Sequence, residues 1–152
     1  MENNTETLDI LNDLVQINND RIKGYEKAIN ETEEEDAQLK GFFTARIAES
    51  HQFKMELGTE IQALGQDIDN DTSSSGALHR TWISIKEAFT GHDEKSTLEE
   101  CEFGEDAIKK AYDSALEEES LPAYVRELLS NQYTKLLAAH DEVKALRDSV
   151  ED

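Results

Sequence analysis

Glu26, Glu102, Glu105 and His140 have the residue types, and on helices the spacing, of a metal site. Carboxylates and an imidazole presented inward from several helices are what a carboxylate-bridged metal pair uses, and iron and manganese are the ions considered for such a set. Glu102 and Glu105 are i, i+3 neighbours, so on one helix they reach the same space. Glu49 is a further candidate ligand. Gly24 and Gly104 stand inside long helical patterns, where each costs about 1 kcal/mol relative to alanine. Close helix approach, or room left for a bound group, would account for both.

Other chemistry finds little support. There is no glycine-rich phosphate loop, no Ser or Cys nucleophile beside a suitable base, and no metal-binding cysteine pair. Cys101 falls on an apolar stripe, where a buried, inert thiol is expected.

Four long helices must position these side chains. The first is expected from about Thr7 to Asn30, with Leu8, Leu11, Val15, Ile22, Tyr25 and Ile29 on one stripe and Thr5 or Thr7 as cap. The acidic run Glu33 to Asp36 makes a turn. The second helix runs from about Asp36 to Ile68 through Leu39, Phe43, Ile47, Phe53, Leu57, Ile61 and Leu64. The segment Asp67 to Gly76 is rich in turn formers and breaks the pattern. A shorter helix, Ala77 to Phe89, carries Leu78, Trp82, Ile83 and Ile85, with His79 and Arg80 expected to pair with surface acids. The third long helix spans about Lys95 to Glu118, with Leu98, Cys101, Ile108, Tyr112 and Leu116 inward. Ser120 is the expected cap of the last, which has Pro122 in its first turn and reaches about Val150. Its stripe is Val125, Leu129, Gln132, Leu136, Ala139, Val143 and Leu146. No strand pattern occurs.

Short links make helices 1 and 2, and helices 3 and 4, antiparallel hairpins. The stretch between the hairpins is long enough to act as a crossover, with Trp82 plugging its short helix onto the bundle. The expected class is all-α: a ferritin-like four-helix bundle of two antiparallel hairpins joined by a long crossover containing a short helix, one domain over residues 1–152.

Several segments carry a family resemblance: Gly24-Tyr25-Glu26, Gly76 to Trp82 with His79-Arg80, Glu102 to Asp106, Tyr112, Leu121-Pro122 and His140-Asp141. In order and spacing they resemble a bacterial ferritin-like four-helix-bundle family of unknown function. The resemblance covers nearly the whole chain and implies the fold, with no activity attached.

If the crossover delivers the third helix to the first hairpin's bend, heights can be counted from that bend, near position 33. Glu26, Glu102 and His140 then lie about seven or eight residues down, and Glu105 about ten. A lower layer holds Asn18, Glu49, Tyr112 and Gln132, with Arg46 slightly above. It is expected to be a separate hydrogen-bond layer in which Arg46 or Tyr112 serves Glu49. Di-iron bundles carry Glu-x-x-His on two helices. Here Ala48, Gly76, Phe89 and Leu137 stand three residues before the four histidines.

The 152 residues carry 35 acids against 15 Lys and Arg, a formal charge of −20, which turns away nucleic acid and anionic membrane surfaces as partners. One cysteine allows no intramolecular disulfide. The first residues have no signal-peptide pattern, and no apolar run suffices to span a bilayer. A soluble, cytoplasmic protein is expected. The favoured function is non-catalytic: self-association as a homo-oligomer or binding to a protein partner, in a stress-related role. The alternatives are an atypical carboxylate-rich metal-binding protein or di-metal oxidoreductase, and a bundle that binds a small ligand near Gly24 and Gly104.

Overall fold

The computed structural model describes residues 4–32, 36–65 and 94–150. Among them are four helices and no strand: α1 (Asn4–Glu31), α2 (Ala37–Ala63), α3 (Glu94–Leu116) and α4 (Ala123–Val150). They form a four-helix bundle. The short helix expected at 77–89, with His79, Arg80 and Trp82, lies outside the described residues.

Most of each expected stripe is buried, while Leu8, Ile29, Ile47, Leu64, Cys101, Leu116 and Leu146 are only partly so. Leu11, Val15, Ile22, Tyr25, Leu39, Phe43, Phe53, Leu57, Ile61, Leu98, Ile108, Tyr112, Val125, Leu129, Leu136, Ala139 and Val143 are all buried. Burying one such large apolar side chain is worth about 1.5–3 kcal/mol, so four long stripes suffice to hold four rods side by side.

One helix start agrees with expectation, and three helix ends differ. Asp36 caps α2, its carboxylate accepting from the Leu39 amide at 3.1 Å. That helix stops at Ala63 rather than Ile68, because Gly65 takes φ +85°, a left-handed conformation that glycine adopts without a Cβ penalty. Ser120 caps nothing: its hydroxyl donates to Glu6 at 2.8 Å and Glu118 at 3.1 Å, and the Pro122 carbonyl accepts the first amide bonds of α4 instead. Thr7 lies buried inside α1, which starts earlier, at Asn4.

Side-chain contacts set the directions. Thr97 donates to Glu31 at 3.1 Å at one end of the α1–α3 pair, and Asn18 donates to Tyr112 at 3.2 Å farther down. The two helices are therefore antiparallel, and α3 begins beside the α1–α2 bend. Arg46 faces Glu142 at 3.9 Å and Gln132 donates to the Phe53 carbonyl at 3.2 Å, so α4 climbs as α2 descends. Helix α1 packs on α2 and α3, and α4 packs on α3 and α2. The order is up, down, down, up.

Apolar packing falls into two blocks. Tyr25, Ala28, Leu39, Phe43 and Leu98 form the upper one, near the bend. The larger lower block contains Leu14, Ile17, Leu57, Ile61, Ile108, Leu129 and their neighbours. Polar side chains occupy the level between them.

Candidate functional site

At that level the central group is Arg21, with 2% of its surface exposed. Its Nε and Nη2 donate to the two oxygens of Glu105 at 2.8 and 2.7 Å, a bidentate pair. Nη2 also donates to Glu49 at 2.9 Å, and Nη1 donates to Ser50 Oγ at 3.0 Å. The guanidinium further lies over the Tyr25 ring, 5.5 Å from its centre. Burial works against the charge, yet Glu105, Tyr25 and Glu49 outweigh it and hold the Arg21 pKa above its ordinary value.

From Ser50 the network continues downward. Ser50 donates to Asn18 Oδ1 at 2.9 Å, and Asn18 Nδ2 donates to the Tyr112 hydroxyl and to the Leu14 carbonyl. Tyr112 donates to Gln132 at 2.6 Å, and Gln132 Nε2 donates to the Phe53 carbonyl and, at 2.9 Å, to Glu56. One chain of hydrogen bonds thus joins all four helices. The expected lower layer exists, but it is not separate: Arg21 and Ser50 connect it to Glu105. Of the two partners expected for Glu49, Arg46 or Tyr112, Arg46 forms an ion pair with it but no hydrogen bond. Tyr112 serves Gln132, Arg46 Nε stands 3.7 Å from Glu49, and Arg21 is the donor.

The candidate metal ligands therefore part company. Glu105 and Glu49 are turned onto Arg21, while the Glu26 side chain is exposed on α1. A guanidinium between the core carboxylates takes the place that two cations need, and His140, the imidazole expected there, pairs with other carboxylates. This core does not fit the metal pair of ferritin-like carboxylate proteins. Glu102 and His140 do come together, at 4.0 Å, on the α3–α4 side of the bundle. There Asp106 joins them, its Oδ1 2.7 Å from His140 Nε2.

Between α1 and α3, on the other side of α3, lies a cleft of about 310 Å³. Arg21, Tyr25 and Glu105 lie at its inner end, and Gly24, Cys101 and Gly104 also line it. A Cβ built on Gly24 would meet nothing within 4 Å, so this glycine leaves open space rather than admitting a tight helix contact. Tyr25 is 3% exposed, and its hydroxyl has no hydrogen-bond partner of acceptable geometry, although Glu105 is close enough to repel the phenolate. Burial first, then Glu105, drives the Tyr25 and Cys101 pKa values well up. Cys101 is thus a neutral, poorly nucleophilic thiol in the cleft wall.

A family model described as a domain of unknown function, DUF2383, matches residues 6–118. The chain belongs to that family. Its matched span takes in nearly all of α1, together with α2 and α3, hence Arg21, Ser50, Glu105 and both walls of the cleft. The DUF2383 span stops short of α4 with Gln132 and His140. No curated protein matches the chain.

Sequence reasoning passed over Arg21 and Ser50. The signal was present: Arg21 stands three residues after Asn18 and four before Tyr25, both on the inward stripe. Asp106 was likewise legible as the i+4 partner of Glu102.

Proposed function

We propose that this DUF2383 protein is a non-catalytic, ferritin-like bundle that acts by binding, with the α1–α3 cleft taking a small, uncharged, largely apolar ligand. The cleft itself carries this reading. Its volume, about 310 Å³, lies at the lower end of the ~300–1,000 Å³ of small-molecule pockets. Its charged lining is balanced: Arg21, Lys23 and Lys27 against Glu31, Glu100 and Glu105. In a molecule of charge −20 that local neutrality favours an uncharged guest. The up, down, down, up helix order and the family resemblance support the ferritin-like assignment, and the Arg21 core argues for scaffold rather than catalyst.

Self-association is a second reading, supported by Phe103, 50% exposed and part of the cleft lining. Among the described residues the other exposed large apolar side chains, Met55 and Tyr124, stand on different helices at different heights and make no common patch with it. A dimer would have to seat Phe103 in the same cleft of a second copy.

Titration with the neutral fluorescent probe N-phenyl-1-naphthylamine tests the first reading. Saturable binding near one probe per chain, insensitive to salt and weakened about tenfold or more by Gly24→Leu, is expected. No saturable binding, or equal binding in Gly24→Leu, would overturn it. Light scattering on the same samples tests the second: a dimer dissociated by Phe103→Ser supports association, and a monomer at all concentrations removes it.

A further inference from the structure

On the α3–α4 side of the bundle, away from the cleft, we propose a mononuclear site for a divalent transition-metal ion, with zinc the best fit, held by His140 Nε2, Asp106 Oδ1 and Glu102 Oε2. One ligand atom from each of these residues lies within 4.8 Å of the others. The separations from Nε2 are 2.7 Å to Asp106 and 4.0 Å to Glu102. Bonds of ~2.0–2.2 Å to a tetrahedral zinc put neighbouring ligand atoms about 3.3–3.6 Å apart. The group brackets that spacing, so small side-chain rotations would close it on an ion and leave a fourth position for water.

Helix geometry supplies the convergence. Glu102 and Asp106 are i, i+4 neighbours and share the face of α3 turned to α4, where His140 meets them. The groups behind the ligands are also in place. Asp141 Oδ1 lies 3.4 Å from Nδ1, the ring nitrogen that the ion would not use. A carboxylate that accepts from Nδ1–H there would leave Nε2 free to ligate. Arg147 Nη1 donates to Glu102 Oε1 and holds that carboxylate by the oxygen that the ion would not use.

A structural histidine–aspartate pair would explain Asp106 alone. It would need neither Glu102 on the same nitrogen nor Asp141 on the other side of the ring. A divalent ion would offset the carboxylates gathered there, which Arg147, itself also paired with Asp148 at 2.9 Å, neutralises only in part. Imidazole with two carboxylates suits zinc, manganese and ferrous iron, and the ordinary order of affinities places zinc above the other two. This site shares Glu102 and His140 with the set expected from sequence, but it is a single-ion site without Glu26 or Glu105.

The test uses the whole chain, stripped with chelator and titrated calorimetrically with Zn2+, then with Co2+ to follow its visible absorption. One ion per chain is expected, with affinity reduced about tenfold or more in His140→Ala and in Asp106→Asn, and with Co2+ bands that change on loss of the imidazole. His51→Ala and Glu26→Gln, on α2 and α1, should bind as the parent does. Helical circular dichroism checks each variant's fold. Should His140→Ala unfold, Asp106→Asn and Glu102→Gln decide the matter, since each nearly preserves shape. Unchanged affinity in the folded ligand variants, or weak binding of many ions with no discrete equivalent, would overturn the site.

Discussion

Arg21 grips Glu105 through two parallel hydrogen bonds, with the side chains of both residues only 1% exposed. The pair ties α1 to α3 at the level where the core turns polar. Removing one partner of such a pair strands the other charge and costs about 3–5 kcal/mol, whereas replacing both with apolar groups of similar volume is often nearly neutral. Arg21→Met should therefore lower stability by about that amount in urea unfolding. Arg21→Met with Glu105→Leu should recover most of the loss. A double variant no better than the single one would mean that Glu49 and Ser50, rather than Glu105, carry the coupling.

Tyr112 is the second point where the network can be cut. Its hydroxyl donates to Gln132 at 2.6 Å and accepts from Asn18 at 3.2 Å. Tyr112→Phe keeps the ring's packing but strands a buried amide oxygen and an amide N–H. Each stranded group costs about 1–3 kcal/mol. A drop of about 2–6 kcal/mol is expected in urea unfolding, with the far-ultraviolet spectrum unchanged.

How far the sequence discloses these features depends on which coordinate a residue pattern encodes. Heights come from counting, and they serve well: Asn18, Tyr112 and Gln132 share a level, and Glu105 reaches the core. Direction around the helix axis is harder. Each residue turns the helix by about 100°, so adjacent residues such as Glu105 and Asp106 face different neighbours, α1 for one and α4 for the other. The i, i+3 spacing alone suggests that Glu102 and Glu105 converge, yet the i+4 pairing with Asp106 prevails because α4 lies on that side. Glu26 fails similarly, since it sits next to the inward Tyr25 and is turned to solvent. Arg21 is hard to see for another reason. Arginine is almost never fully buried unless paired, and its partners lie 28 and 84 residues away. The helix ends were legible where a cap is local, as at Asp36, and misplaced where the serine's partner, Glu6, comes from α1.

Alkaline pH should unfold the protein earlier than its secondary structure suggests. Burial raises the Cys101, Tyr25 and Tyr112 pKa values above their ordinary 9.0, 10.0 and 10.0. For groups shifted upward, the folded state holds its protons when the unfolded chain has released them. Their contribution is fully present below pH ~9 and is lost as pH climbs through the unfolded values toward the folded ones. Melting temperature should be flat in this respect up to about pH 9 and fall steadily above it. Cys101→Ala should move the start of the fall toward pH ~10. An identical profile in that variant would remove the thiol from the account.

Gly24 and Gly41 offer a gain. Both lie inside helices, and a Cβ on either would meet no atom within 4 Å. Alanine at a helical glycine with free space raises stability by about 0.5–1 kcal/mol, partly by narrowing the unfolded ensemble. Gly24→Ala and Gly41→Ala should each raise the melting temperature, and nearly additively, since they stand on different helices. Only Gly24→Ala should also weaken probe binding in the cleft. A loss of stability at Gly24 would mean that the space beside it is filled in solution.

Arg126 closes the far end of the bundle. Its Nη1 donates to the Leu116 carbonyl and its Nη2 to the Glu118 carbonyl at 2.6 Å, at and just beyond the last turn of α3. Helix C-termini leave carbonyls without partners and carry partial negative charge, so a guanidinium fork both satisfies them and opposes the dipole. Because Arg126 belongs to the first turn of α4, the same contact fixes the α3–α4 bend. Arg126→Ala should cost about 1.5–3 kcal/mol in urea unfolding, the range of a hydrogen bond involving a charged group. Arg126→Lys should restore only part of it, since an ammonium on a flexible stem cannot hold two carbonyls in one plane. Amide exchange should quicken locally across 114–121, leaving the Arg21 level protected. Exchange quickening evenly along α3 would show instead that this end holds the whole helix in register.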